Sequence, residues 1–275
     1  MRYFFLTLFL CPFFVFSQYR FSYQYTSVPD VSKKDSLVVD MMTLDVDMNK
    51  KKSNFYSEAK VQIDSLIENA NKSSFSKLTF PRYNPNLIYN ITKDLAENNM
   101  VFHIVYSGIK MKITETEKPD WKIENETKKI ADYVCKKAIA EYKGREWIAW
   151  FTDEIPIPDG PYKFCGLPGL IVEIYDTKKE HIFSIVQIKK DISLRIPEYK
   201  KSEKEITKKQ LNELLDEGSN DIMQNIKSMN ITQRGYSLLL NDGNLLQVDK
   251  NVKPENIEKE LSRQMQRPKN PIELK

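Results

Sequence analysis

From Tyr19 the chain alternates between aromatic and polar positions: in YRFSYQYTSV, Phe21, Tyr23 and Tyr25 fall on every second residue. A period of two sends those rings to one face, so a half-buried strand is predicted here. LVVDMMTLDVDM (37–48) is a second extended stretch with a less regular alternation. The period then lengthens. Ser57 stands where a helix cap belongs, and Ala59, Ile63, Leu66, Ile67 and Ala70 recur at the spacing of one helical face. Residues 71–99 mix Ser, Asn and Pro with scattered apolar positions and read as loop with short strands.

From Met100 the texture is strand and turn. MVFHIVY, IKMKITE and DWKIENE lead into DYVCKKAIAEYKGREWIAWFT, where YKGRE places a hairpin turn at Gly144. LIVEIYD and HIFSIVQIKK flank DTKK and predict another hairpin, so adjacent strands should pair antiparallel. After Pro197 the chain turns helical. Thr207 and Gln210 form a capping box, Ile206 and Leu211 a hydrophobic staple, and Leu211, Leu214, Leu215, Ile222, Ile226 and Met229 an apolar face. The expected fold is therefore α+β: a curved, half-barrel-like antiparallel sheet with at least one packed helix.

The stretch KFCGLPGLIVEIYD (163–176) departs from these patterns. Leu167 precedes Pro168 and is pushed toward an extended conformation. Gly169 can take the positive φ of a type II turn, and Gly166 allows close backbone passage. Leu170 to Tyr175 then runs as a strand apolar on both faces except at Glu173, as in a sheet covered on both sides.

GLPGLI at 166–171 resembles the signature of the GLPGLI family of secreted Bacteroidetes proteins. The similarity extends to GREWIAWFTDEIPIPDGPYKF before it, VEIYD after it, NPIEL near residue 271 and SNFYS near residue 55. The resemblance implies an exported protein of the periplasm or outer membrane. It carries no catalytic residues to this chain.

The N-terminus agrees with export. Arg2 is followed by an uncharged run from Tyr3 to Phe16, too short for a membrane-spanning helix and patterned as a secretory signal peptide. Cleavage is expected near Ser17 or Gln18, leaving a single domain over 19–252, a charged tail over 253–275, and no transmembrane segment. A lipoprotein signal at Cys11 is the rival reading, disfavoured by Leu10 and Pro12. Without Arg2, 41 basic residues face 38 acidic ones, interspersed, which leaves no nucleic-acid footprint. Export leaves Cys135 and Cys165. An oxidising compartment permits a disulfide between them, and two free thiols in neighbouring strands fit the sequence equally.

Candidate chemistry is sparse. His103 and His181 both sit in alternating strands and read as structural histidines. No His/Cys/Asp/Glu grouping has metal-site spacing, and no phosphate-cradling loop, dinucleotide fingerprint or nucleophile elbow appears, so neither metal nor cofactor is expected. Asp153, Glu154, Asp159 and Glu173 surround the motif and would form a carboxylate site only by converging. The aromatics Trp147, Trp150, Phe151, Tyr162 and Phe164, with Glu173, are the candidate ligand-binding residues, bracketing the Pro-rich DEIPIPDGP loop at the mouth of a concave sheet. The expected function is a non-enzymatic module binding or carrying an apolar ligand or peptide. Docking on an outer-membrane assembly is the alternative, and a carboxylate hydrolase comes third.

Overall fold

The structure is a computed structural model that describes residues 18–62, 65, 90–106, 109–190, 192–196, 203–214, 216, 236–239, 245–248 and 270–274. The apolar N-terminal run and most of the two expected helices lie outside these residues.

Six strands form a first meander: β1 (Gln18–Ser27), β2 (Val38–Asp47), β3 (Lys52–Ser57), β4 (Asn90–Asp94), β5 (Asn99–Tyr106) and β6 (Ile109–Glu115). Five form a second: β7 (Lys122–Ile130), β8 (Tyr133–Tyr142), β9 (Arg145–Thr152), β10 (Leu170–Asp176) and β11 (His181–Lys190). Within each meander, consecutive strands are neighbours and antiparallel, as short turns dictate. The β8–β9 turn is Lys143-Gly144, both at positive φ, the two-residue geometry whose twist suits a hairpin. The two meanders join where β1 pairs antiparallel with β11, from Tyr19↔Lys190 to Ser27↔His181. A short β12 (Lys204–Glu205) adds parallel to β6, giving an open twelve-stranded sheet with β12 and β7 outermost. A separate hairpin joins β13 (Tyr236–Leu239) and β14 (Leu245–Val248).

The α+β expectation is not met: the described residues are mostly β-sheet, in one large open sheet, with little helix. Described helix is confined to 58–62 with residue 65, and 208–214 with residue 216. The start signals nevertheless act as read. Lys60 N–H donates to Ser57 Oγ at 3.3 Å. Thr207 N–H donates to Gln210 Oε1 at 2.8 Å, and Gln210 N–H donates to Thr207 Oγ1 at 3.1 Å. Caps set where a helix begins, not how much of the fold it supplies. Here the bulk is supplied by strands: β3 had no strand reading, and β4 falls inside the stretch read as loop with short strands.

Twelve strands at about 4.8 Å spacing would lie about 50 Å wide if flat. Yet one apolar cluster draws on β1 to β6 and on β8 to β11, including Phe21, Tyr23, Leu44, Phe55, Phe102, Met111, Trp147, Phe151 and Phe183. Side chains that far apart along the sheet share a core only because the sheet curls around them. The opposite face is thinner. It carries a small cluster of Cys135, Trp150 and Val172. It also carries a polar patch in which Asp45 takes both prongs of Arg20 at 2.6 and 2.7 Å and the Arg195 N–H at 2.6 Å.

Candidate functional site

What the sheet curls around is the chain's own 153–169 loop. Its Ile-Pro-Ile-Pro run alternates, with Ile155 and Ile157 buried and both prolines outward. The prolines lack N–H groups, so turning them to solvent leaves no donor unmet. Leu170 N–H donates to the Ile155 carbonyl at 3.0 Å and Ile171 N–H to that of Asp159 at 3.0 Å, which folds the loop back along the start of β10. Phe164 is fully buried with its ring 4.5 Å from that of Trp147 and tilted against it, and Tyr142, Tyr162 and Phe183 surround it.

Two buried lysines fix the loop to the first meander. Lys93 of β4 lies 2.5 Å from Asp159, with 2% and 0% of their side chains exposed, and donates also to Gly160 O at 2.7 Å. Lys163 meets Glu115 of β6 at 2.8 Å and sits 4.0 Å over the Phe102 ring of β5. Removing charges from water is costly unless each finds a partner, and each of these does.

The motif glycines exchange the roles read from sequence. Gly166 holds the positive φ, +94°, with only Lys118 Cδ at 3.9 Å from where a Cβ would stand. Gly169 makes the close approach: a Cβ there would lie 2.0 Å from Thr152 O. The motif therefore clamps the exit of the loop against β9 and is not a type II turn centred on Gly169.

Residues 270–274 complete the arrangement, filling a cleft between the loop and the β8–β9 hairpin. Arg145, 6% exposed, pairs with Asp176 at 3.1 Å and Glu180 at 2.9 Å, and donates to Asn270 Oδ1 at 2.6 Å and Pro271 O at 2.7 Å. Asn270 Nδ2 donates to Val28 O at 2.8 Å, and Ile272 is buried in the core. Glu273 accepts from Tyr162 OH at 2.7 Å, pairs with Lys163 at 2.5 Å and also holds Lys208. Burial alone would raise the Glu273 carboxyl, but Lys163, Lys208 and Tyr162 outweigh it and bring it down to about 2. Leu274 N–H closes the segment on Lys143 O at 2.9 Å.

GREW, PYKF, VEIYD and NPIEL, separate strings in the sequence, thus meet in one place through Arg145, Lys163, Asp176 and Glu273. Beside them His181 is fully buried, with Nδ1 2.7 Å from Tyr25 OH; burial first, then Arg145, pushes its imidazole down to about 3.

The candidate ligand-binding residues divide between two faces. Trp147, Phe151, Tyr162 and Phe164 point into the common core. Trp150 lies on the other face under the Lys128 ammonium, 4.3 Å from its ring, so Trp150 and Phe164 line no single cavity. Glu173 is on that outer face too, 2.7 Å from Lys128. The carboxylates near the motif do not converge: Asp153 pairs with Lys136 at 2.5 Å, Glu154 accepts from Val134 N–H at 2.9 Å, and Asp159 binds Lys93. Cys135 and Cys165 are both free thiols. Cys135 belongs to the outer cluster with Trp150, whereas Cys165 lies in the inner loop, so no bridge forms; burial raises the Cys135 thiol to about 11.

Sequence reasoning missed Arg145, Lys93, Lys163, Glu115 and Glu273. The signal it had was charge inside otherwise apolar strings, as in PYKF and NPIEL. It missed as well a polar series on the outer face, where His103 bridges Thr92 Oγ1 at 2.8 Å and Glu203 at 2.9 Å and ties β4 and β5 to residues preceding β12. A groove of about 210 Å³ lies on that face, lined by Asn54, Tyr56, Asn90, Arg195 and aliphatic neighbours.

Comparison with known proteins adds a family match over residues 140–173, to a family described as "Protein of unknown function (Porph_ging)" and associated with Bacteroidetes. That match spans the GLPGLI string and its flanks without the GLPGLI name, and covers a short part of the chain. No curated protein matches. Among solved structures, PNGF-II in a C2 space group aligns at TM-score 0.48 and 15% identity over 72% of this chain and 32% of that one. PNGF-II in P21 gives 0.49 and 16% over 72% and 33%. An uncharacterized conserved protein from Thermus thermophilus aligns at 0.37 and 7% over 70% and 91%. This chain thus spans about a third of the PNGF-II chains it resembles.

Proposed function

We propose that the protein is exported, to the periplasm or outer membrane, and works by engaging another protein at its surface, not by carrying an apolar ligand inside the sheet. One observation carries the preference. The concave face, where a carrier would hold its cargo, is occupied by the 153–169 loop, which is ion-paired to β4 and β6 through Lys93–Asp159 and Lys163–Glu115. Displacing that loop would strand buried charges, a cost of several kcal/mol that a small apolar ligand does not offset. The uncharged run from Tyr3 to Phe16 supports export.

The test has two arms on protein from its own compartment. Native mass spectrometry should give the bare mass of a chain starting at Gln18 or Tyr19. Photo-cross-linkers at the exposed Ile123 and Val134 should trap a discrete protein neighbour in cells. A bound apolar mass lost on denaturation, with no cross-linked neighbour, would reverse the preference toward a carrier.

A further inference from the structure

Residues 270–274 sit in their cleft as a peptide sits in a receptor. The Asn270 amide is read from both ends, its oxygen by Arg145 and its nitrogen by Val28 O. Pro271 presents its carbonyl to Arg145 and has no N–H to satisfy. Ile272 enters the core, and the Glu273 carboxylate receives Tyr162, Lys163 and Lys208. Leu274 contributes its N–H to Lys143 O while its side chain stays 54% exposed. Four successive positions are therefore distinguished by side-chain or carbonyl chemistry, and the fifth by its backbone alone.

The receptor groups do not depend on the segment for charge balance. Arg145 keeps Asp176 and Glu180, and Lys163 keeps Glu115. Emptying the cleft consequently leaves no lone buried charge, the situation that makes breaking a buried pair so costly. Among the described residues the Lys93–Asp159 pair under the loop has no such reserve charge, which separates the fixed loop from the releasable segment.

We infer that the cleft around Arg145 and Lys163 is a peptide-recognition site for an Asn-Pro-apolar-acidic segment presented by another protein, and that residues 270–274 occupy it as an internal competitor. The inference rests on the surface-docking reading and names what that surface binds. Affinity resides in the contacts, and the covalent connection to the rest of the chain only raises the effective concentration of the internal copy. An external segment of the same chemistry gains the cleft wherever it is presented at high density or the internal hold is weakened.

The experiment uses the full mature chain and a fluorescent acetyl-Asn-Pro-Ile-Glu-Leu-amide peptide. Weakening the internal copy with Asn270→Ala and Glu273→Ala should tighten binding of that peptide at least about tenfold over wild type, since its competitor is removed. A peptide with Gln in place of Glu should bind at least about tenfold more weakly, because it meets Lys163 without a charge. Should the double variant fail to fold, wild-type protein decides: excess peptide should speed hydrogen exchange at the Leu274 amide by displacing it from Lys143 O. Binding indifferent to the Glu-to-Gln change, or no saturable binding by a folded variant together with unchanged Leu274 exchange, overturns the inference. Cross-links at Ile123 and Val134, outside the cleft, test the docking reading separately.

Discussion

Gly166 and Gly169 stand three residues apart in one motif, and a methyl group added at each meets different physics. At Gly169 it would collide with the Thr152 carbonyl, 2.0 Å away, and with Thr152 C at 2.7 Å, both β9 backbone. Backbone paired in a central strand yields little, so Gly169→Ala should cost about 3 kcal/mol or more. At Gly166 the space is open and only the +94° φ resists, so Gly166→Ala should cost about 1–2 kcal/mol. Urea unfolding of both variants checks the ranking, and the reverse order would mean that the loop exit relaxes freely. His181 provides a second residue-scale test. Its imidazole titrates near 3 in the fold, against about 6.5 in an unfolded chain. The unfolded chain therefore binds the extra proton between those values, and stability is full above about pH 6.5 and lost as pH falls toward 3. Burial also lowers His103, which adds in the same direction. We expect His181→Gln to flatten the fall in urea midpoint between pH 6.5 and 3.5, leaving the part due to His103 and the carboxylates. An unchanged slope would place the acid sensitivity elsewhere.

The element that organises this fold is the 153–169 loop, and its attachment to β4 is the place to test it. Lys93→Met removes the cation facing Asp159, whose side chain is 0% exposed and whose Oδ2 already lacks a partner. A lone buried carboxylate costs about 3–5 kcal/mol, so the variant should lose that much, and Lys93→Met with Asp159→Asn should recover most of it. Equal losses in the single and double variants would show that the pair contributes shape and not charge balance. Sequence legibility followed the same division between local and long-range. Hairpins were legible because Lys143-Gly144 and the DTKK turn carry their own φ preferences. Helix starts were legible because Ser57 and Thr207 act within three residues. The junction of β1 with β11 was not, since nothing in YRFSYQYTSV names a partner more than 150 residues away. The inner position of the loop was hidden for a related reason. DEIPIPDGP reads as the mouth of a concave sheet until Lys93 and Glu115, from another meander, supply the counter-charges that hold it inside.

At the scale of the molecule, two meanders that are local in sequence become one body by sharing what lies between them. β1 and β11 give the backbone junction, and the loop gives the side-chain junction, with Phe164 touching Trp147 of β9 and Phe183 of β11 while Tyr162 meets Phe102 of β5. If each meander had its own core, truncating one ring would unfold only its own half. Here the described core cluster is continuous across both. We therefore expect Phe164→Ala to cost about 3–5 kcal/mol and to lower the urea midpoint in a single step, with the slope of the transition unchanged. Tryptophan fluorescence and far-ultraviolet circular dichroism should report the same midpoint, although Trp147 and Trp150 lie in the second meander and much of the sheet signal comes from the first. Two separated transitions would mean that the loop is packing for the second meander alone. The first meander would then have to be held by the β1–β11 ladder and by the outer-face polar patch around Asp45. A single transition would show that the two halves unfold as one body through the core that both meanders share with the loop.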